Sequence, residues 1–282
     1  MKDLLLADAG STKTDWSLLS DTQNVSVRVQ TKGLNPALTP QKEILEIMKT
    51  LPDKLKSSRP KRICFFGAGC ATPSLKEIVK ESLSETFQVG DITVESDLMA
   101  AAIALFGDSK GIVGILGTGS NCGIYESGKL NQPIPSLGYI LGDEGSGVSL
   151  GKRLLNAVFK KQLPDELIKK FTYEYELDLP TLIDRVYRQS NPSSFIASFS
   201  PFLLKTINYP EIYNLVSEEF DSFFKKNILP LHESNSYEIG IVGSIAFNYQ
   251  SVVRASAERF GLKIKTVLHN PMSNLENYYS HL

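Results

Sequence analysis

The chain has 282 residues, enough for one large domain or two of ordinary size. With 30 Lys and Arg against 31 Asp and Glu, its net charge is −1; no basic field for nucleic acid and no acidic tail is present. Apolar residues make up 42%, as in a globular protein, yet no apolar run reaches the ~20 residues that span a bilayer.

The start Met1-Lys2-Asp3-Leu4 meets an acid at once, unlike a secretory leader. Leu4–Ala7 reads as a buried strand running into Asp8, and Thr14–Leu19 as its hairpin partner. Ser26–Gln30 is a third short strand. Pro40–Met48 has helical spacing. Arg62–Phe66 is a strand ending on Gly67-Ala68-Gly69. Pro73–Leu83 carries Leu75, Ile78, Val79 and Leu83 at helical intervals. Asp91–Val94 is a strand and Leu98–Phe106 an alanine-rich helix. After the turn-rich stretch Gly107–Gly111 the pattern restarts, with Gly111–Leu116 and Asn121–Tyr125 as strands around Gly117–Ser120. A tight turn follows at Glu126–Lys129, and Leu130-Asn131-Gln132 continues beyond it. Ser146 to His232 is mostly helical. Tyr237–Val242 is a strand, Ile245–Phe260 an amphipathic helix, Lys263–Val267 the last strand, and Asn274–Leu282 a helix. Two three-stranded meanders, each followed by alternating strands and helices, make an α/β protein. The expected domains are 1–107 and 108–270, the second with a helical insertion near 146–232.

Two hydroxyl-lined turns suggest chemistry. Gly10-Ser11-Thr12-Lys13 follows a strand that delivers Asp8, a carboxylate able to organise Mg²⁺, and the turn offers N–H and hydroxyl groups to phosphate oxygens. Gly117-Thr118-Gly119-Ser120-Asn121 repeats the strand–turn–strand unit. Facing each other, two such turns would clamp one polyphosphate. Asp97, after a strand and before a helix, is either a helix cap or a general base. Gly138-Tyr-Ile-Leu-Gly142-Asp143-Glu144-Gly145-Ser146 holds two acids among glycines. Asp143 is placed to accept bonds from hydroxyls. Gly243-Ser244 opens a helix whose small residues could admit a flat ring. Gly123 to Lys129 misses a phosphate-binding Walker loop, since Leu130 stands where Ser or Thr is needed and a strand follows. Cys64, Cys70 and Cys122 cannot all pair and form no CxxC, so each reads as a small buried apolar residue. His232, His269 and His281 have no ligand-like spacing.

The order of these pieces, above all Gly117-Thr-Gly-Ser-Asn-Cys122 and Leu141-Gly-Asp-Glu-Gly-Ser146, resembles the BadF/BadG/BcrA/BcrD ATPase family and, within it, the N-acetylglucosamine kinase type. The tail Pro271-Met-Ser-Asn-Leu-Glu-Asn-Tyr resembles the family's ending. The resemblance implies two actin-like, ribonuclease H-like α/β domains around a nucleotide cleft, with the last helix, about 271–282, returning to the first domain. It implies ATP and Mg²⁺ as cofactors and an amino sugar as substrate, N-acetylglucosamine first, phosphorylated at its primary hydroxyl. Asp8 would hold Mg²⁺. Gly10, Ser11, Thr12, Lys13, Gly117, Thr118 and Gly119 would contact ATP phosphates, with Gly243 and Ser244 near the nucleoside. Asp97 would be the base. Asn35, Ser120, Asn121 and Asp143 would contact the sugar, with Leu137 and Gly138 lining it. The chain departs from the animal-type kinases at Pro36-Ala37, where they carry His-Trp, and at Leu137, where an aromatic is expected. A cytoplasmic protein is expected, with no nucleic-acid or membrane partner and with homodimerisation open. The alternatives are a BadF-type ATPase that drives a partner protein and a non-catalytic sugar sensor.

Overall fold

The computed structural model describes residues 3–20, 25–55, 59–235 and 237–282. Met1 and Lys2, on which the leader reading partly rests, lie outside them. The chain forms two compact units. One comprises 1–109, 126–130 and 270–282, and the other 110–125 and 131–269.

In the first unit the strands are β1 (Leu4–Ala9), β2 (Lys13–Leu19), β3 (Val25–Lys32), β4 (Arg62–Gly67) and β5 (Asp91–Ser96). They pair in the order β3-β2-β1-β4-β5. β1 is central, antiparallel to β2 and parallel to β4, which explains its nearly unbroken apolar run. The helices are α1 (Gln41–Lys49), α2 (Leu51–Lys54), α3 (Pro73–Phe87) and α4 (Asp97–Phe106). Thr72 caps α3 by accepting from Leu75 N, Pro73 occupies its first turn, and Gln88 ends it in a left-handed conformation. Trp16, Leu18, Phe65, Val79 and Leu83 fill the core on one face of the sheet, with Trp16 Nε1 donating to Thr31 Oγ1 at 3.0 Å. The C-terminal helix, Met272–Ser280, belongs to this unit. Its buried Glu276 accepts from Ser17 Oγ at 2.6 Å and from the Arg28 guanidinium, while Asn274 Nδ2 donates to Ala104 O.

The second sheet is built from β6 (Gly111–Leu116), β7 (Ser120–Glu126), β8 (Lys129–Asn131), β9 (Ile239–Val242) and β10 (Ile264–Leu268), all of the second unit except residues 126–130. Their order, β8-β7-β6-β9-β10, repeats that of the first sheet strand for strand. The approximate duplication expected from the two turns is thus a duplication of topology. Ser127 and Gly128, both at positive φ, form the hairpin tip between β7 and β8.

Between β8 and β9 lie α5 (Gly138–Leu141), α6 (Gly147–Phe159), α7 (Asp165–Tyr175), α8 (Leu179–Tyr187), α9 (Pro192–Ala197), α10 (Ser200–Lys205), α11 (Pro210–Phe223) and α12 (Leu229–Asn235). A π-helical turn, Phe224–Ile228, joins the last two. Phe171, Phe199, Phe202, Phe220, Phe223 and Phe224 are buried in one aromatic-rich core beside the second sheet. The helix expected over Ile245–Phe260 is instead two, α13 (Ser244–Asn248) and α14 (Gln250–Arg259). They break at Tyr249, whose buried hydroxyl is tied to the Ser200 carbonyl. No helix among the described residues is long and apolar enough to cross a membrane.

Candidate functional site

In the first unit, strand register sets the site. Ala9 pairs with Gly67 and Gly67 with Ser96, so β1, β4 and β5 end level at their carboxyl edges, where ligands of α/β sheets collect. Asp8 stands near the end of β1, and Asp97 immediately follows β5. The turn between β1 and β2 is closed by Gly10 N donating to Lys13 O at 2.9 Å, leaving Ser11 and Thr12 at its tip. Lys13 pairs with Asp15 at 2.8 Å.

Burial, with repulsion from Asp97 and Asp15 added, pushes the Asp8 carboxyl up to about 7 against the pull of Lys13. Burial likewise pushes Asp97 up to about 6, although the Leu98 and Asp97 N–H groups stabilise its anion. The backbone of Asp8 is paired within the sheet, and no hydrogen bond to its carboxylate is found among the described residues. A desolvated carboxylate repelled by its neighbours fits a hard cation, which takes one or two carboxylates and fills its shell with water and phosphate oxygens.

The cap of α4 falls to the neighbour of Asp97. Ser96 is the residue that caps α4, accepting from Met99 N at 3.3 Å. Asp97 is the first helical residue, and its Oδ1 accepts from Leu98 N at 2.9 Å.

Asn35 is 8% exposed and internally satisfied at both ends of its amide. Its Nδ2 donates to Ser11 Oγ at 3.2 Å, and its Oδ1 accepts from Ala37 N at 3.0 Å. A Cβ on Gly69 would come within 2.0 Å of that oxygen, and one on Gly33 within 2.4 Å of the Ser11 backbone. Asn35 therefore braces the phosphate-type turn, a role that its expected sugar contact did not include.

The second unit brings Ser120, Asn121, Leu137 and Asp143 together around a cavity of about 190 Å³, with Ser136 beside them. Gly138, at positive φ, starts α5 next to it. Asp143 accepts from Ser120 N at 3.2 Å, and burial raises its carboxyl above the usual range. A Cβ on Gly119 would lie 2.9 Å from Asp143 Oδ2, so that glycine makes room for the carboxylate. The carbonyls of Gly117 and Thr118 accept from Gly147 N and Val148 N, the first amides of α6. A Cβ on Gly243 would meet Leu116 O at 2.1 Å, and its φ of 132° is open only to glycine, so here too close backbone approach requires the residue.

Glu144, Cys122 and Gly142, which lie within the motifs singled out in the sequence, also line it, whereas Ile134, Pro135, Lys226 and Asn227 escaped sequence reasoning. Glu144 is held by Lys226 Nζ at 2.9 Å and Asn227 Nδ2 at 3.4 Å. These bonds outweigh its burial and keep the carboxyl below its ordinary value. Lys226 and Asn227 sit on the π-helical turn, a feature frequent at functional sites. The second acid of the Gly142-Asp143-Glu144-Gly145 run was the available signal for Glu144, and nothing local announced the π turn. All three cysteines are free and buried, with the Cys70 and Cys122 thiols pushed up to about 12 chiefly by burial.

The chain is similar to several known proteins. A crystal structure of a provisionally named N-acetylglucosamine kinase from Porphyromonas gingivalis is 35% identical and covers 99% of both chains, with a TM-score of 0.93. An N-acetylmuramic acid/N-acetylglucosamine kinase of Clostridium acetobutylicum is 28% identical over 168 residues, 57% of this chain and 54% of that protein. The chain thus spans about half the length of that relative. A glucosamine kinase of Vibrio cholerae serotype O1 is 23% identical over 70% of this chain and 68% of its own. At 14% identity and a TM-score of 0.62, a ROK family glucokinase from Streptomyces griseus shares the fold, the actin-like α/β architecture expected from the sequence. The model of the BadF/BadG/BcrA/BcrD ATPase family matches residues 7–266, and the chain belongs to that family.

Proposed function

We propose that this protein transfers the γ-phosphoryl group of ATP to the primary hydroxyl of an amino sugar, with N-acetylglucosamine as the first candidate. The observation that carries the reading is Asp97. Ser96 does the capping, so the Asp97 carboxylate, held by backbone N–H groups of Leu98 and its own residue, stands at the carboxyl edge of the sheet without serving as the cap. Its raised basicity, to about 6, suits a base that is ionised at neutral pH yet able to take a proton from a sugar hydroxyl.

In this proposal each unit has its own task. On the first, Asp8 holds Mg²⁺, the ion supplying charge neutralisation on the phosphates, while Gly10, Ser11, Thr12 and Lys13 offer donors to phosphate oxygens. Asn35 holds Ser11 in place for that task. On the second, Gly117, Thr118 and Gly119 serve the phosphates, Gly243 and Ser244 the nucleoside, and the cavity around Asp143 the sugar. Asp143 orients hydroxyls by accepting from them, and Glu144, fixed by Lys226 and Asn227, keeps the Asp143 loop in position. A cytoplasmic location belongs to the same proposal, since that is where ATP is abundant. The alternative of an ATPase with a bridging metal cluster requires cysteines able to reach a shared surface, and all three here are buried.

The test is coupled ADP release across a panel of neutral, N-acetylated and free-amine hexoses. One amino sugar is expected to stimulate turnover at least ~100-fold over ATP and water alone, the scale of a positioned acceptor. Equal ADP release with and without every sugar would refute the proposal.

A further inference from the structure

Lys13 stands between two carboxylates. Asp8 of β1 lies directly opposite Asp15 of β2, and Asp15 lies opposite Gln30 of β3. Cross-strand partners share a face of the sheet, and so do residues two apart on one strand, so Lys13 is on that face with both acids. Asp15 is its i+2 neighbour and Asp8 its diagonal neighbour, each within reach of a long side chain. Lys13 takes Asp15, with Nζ donating to Asp15 Oδ2 at 2.8 Å. Gln30 Nε2 donates to Asp15 Oδ1 at 2.7 Å and holds that carboxylate where the ammonium meets it.

Two carboxylates directly opposite on adjacent strands cost stability, which points away from a purely structural pair. At Asp8 the cost is visible: burial first, then Asp97 and Asp15, raise its carboxyl, and Lys13 pulls it down. Lys32, opposite Lys13 on β3, adds a like charge that drives the Lys13 ammonium towards β1. Without Asp15, Asp8 is the carboxylate that remains in register for that ammonium. An ammonium seated there would take the place of a metal cation.

We propose that Asp15 is a positioning residue that keeps the Lys13 ammonium off Asp8, leaving Asp8 open to a divalent cation. Asp15 occupies one of the three ammonium donors, so two remain for phosphate oxygens. The inference rests on the reading of Asp8 as the Mg²⁺ carboxylate and names the residue that guards it.

The test uses the full chain with ADP and Mn²⁺, whose binding is read by electron paramagnetic resonance, with ADP alone as the reference. Asp15→Asn preserves the shape of the side chain and an oxygen for Gln30. It is expected to raise the Mn²⁺ Kd of the ADP-saturated protein at least ~10-fold, since the cation must then displace the ammonium. Lys13→Met by itself shifts that Kd less than ~3-fold, because the half-exposed pair is screened by solvent. Asp15→Asn combined with Lys13→Met returns the Kd to within ~3-fold of wild type, the coupling expected of two residues in contact. A sheet merely damaged by Asp15→Asn would not be repaired by changing a second side chain. A double variant as weak as Asp15→Asn overturns the proposal. So do equal and opposite shifts in the two single variants, the mark of a field acting through space. Tight Mn²⁺ binding that Asp15→Asn leaves unchanged overturns it too, with the cation role of Asp8 still standing. A wild type that binds Mn²⁺ no more tightly than free ADP does overturns both.

Discussion

Replacing Asp97 with Asn should remove catalysis and strengthen the fold in one step. Burial raises this carboxyl from the ordinary 3.8 to about 6. An acid with a raised folded-state pKa is penalised in its ionised form. The penalty is absent below about pH 4, where the group is protonated in both states, grows as pH rises, and is complete above about 6. The gap between 3.8 and about 6, at 1.36 kcal/mol per pH unit, corresponds to roughly 3 kcal/mol. Local relaxation and water entry reduce this, so about 1–2 kcal/mol of stabilisation is expected at pH 8. That is about 2–8 °C in Tm for a chain of this size. Asn keeps the oxygen that accepts from Leu98 N, and Ser96 keeps the cap, so neither bond should be lost. Turnover should fall at least ~100-fold, the scale of a positioned base. The assay pairs ADP release with thermal unfolding between pH 4 and pH 8. A variant that retains a third of wild-type turnover would remove Asp97 from the chemistry. One less stable than wild type at pH 8 would refute the desolvation argument.

Three further outcomes follow from other parts of the molecule. Wild-type turnover should drop about tenfold per pH unit below about pH 6, as the Asp97 base takes up its proton, and a pH–rate profile flat down to pH 5 would contradict that. Gly119→Ala places a methyl 2.9 Å from Asp143 Oδ2, so KM for the sugar should rise about tenfold, with kcat and Tm changing far less, as steady-state kinetics and calorimetry can separate. Glu276→Ala strips Ser17 of its buried partner and Arg28 of its counter-charge, and should cost about 2–4 kcal/mol in denaturant unfolding, with any loss below ~0.5 kcal/mol arguing against the anchor.

Much of the architecture was legible in residue order because it rests on local periodicity. The run Gly111–Leu116 is β6 to the residue, and both meanders, the helix opened by Pro73 and the hairpin tip at Gly128 lie where apolar alternation and turn residues place them. The break at Tyr249 was not legible, because a hydroxyl bound to a carbonyl 49 residues away interrupts a pattern that is locally continuous. Asp97 illustrates the same limit at the site. Its position after a strand was readable, but whether it or Ser96 caps α4 depended on which side chain reached Met99 N, a matter of side-chain geometry.

Sequence by itself determined the α/β class, the paired strand–turn–strand units and most of the chemically suggestive residues, since hydrophobic period, glycine and hydroxyl placement act over a few residues. Only tertiary structure decided that Asn35 braces Ser11, that Gly119 yields space to Asp143, and that a π-helical turn some 80 residues downstream delivers Lys226 and Asn227 to Glu144. These are contacts between segments far apart in the chain. Their partners are selected by how whole elements pack, and no local pattern encodes that.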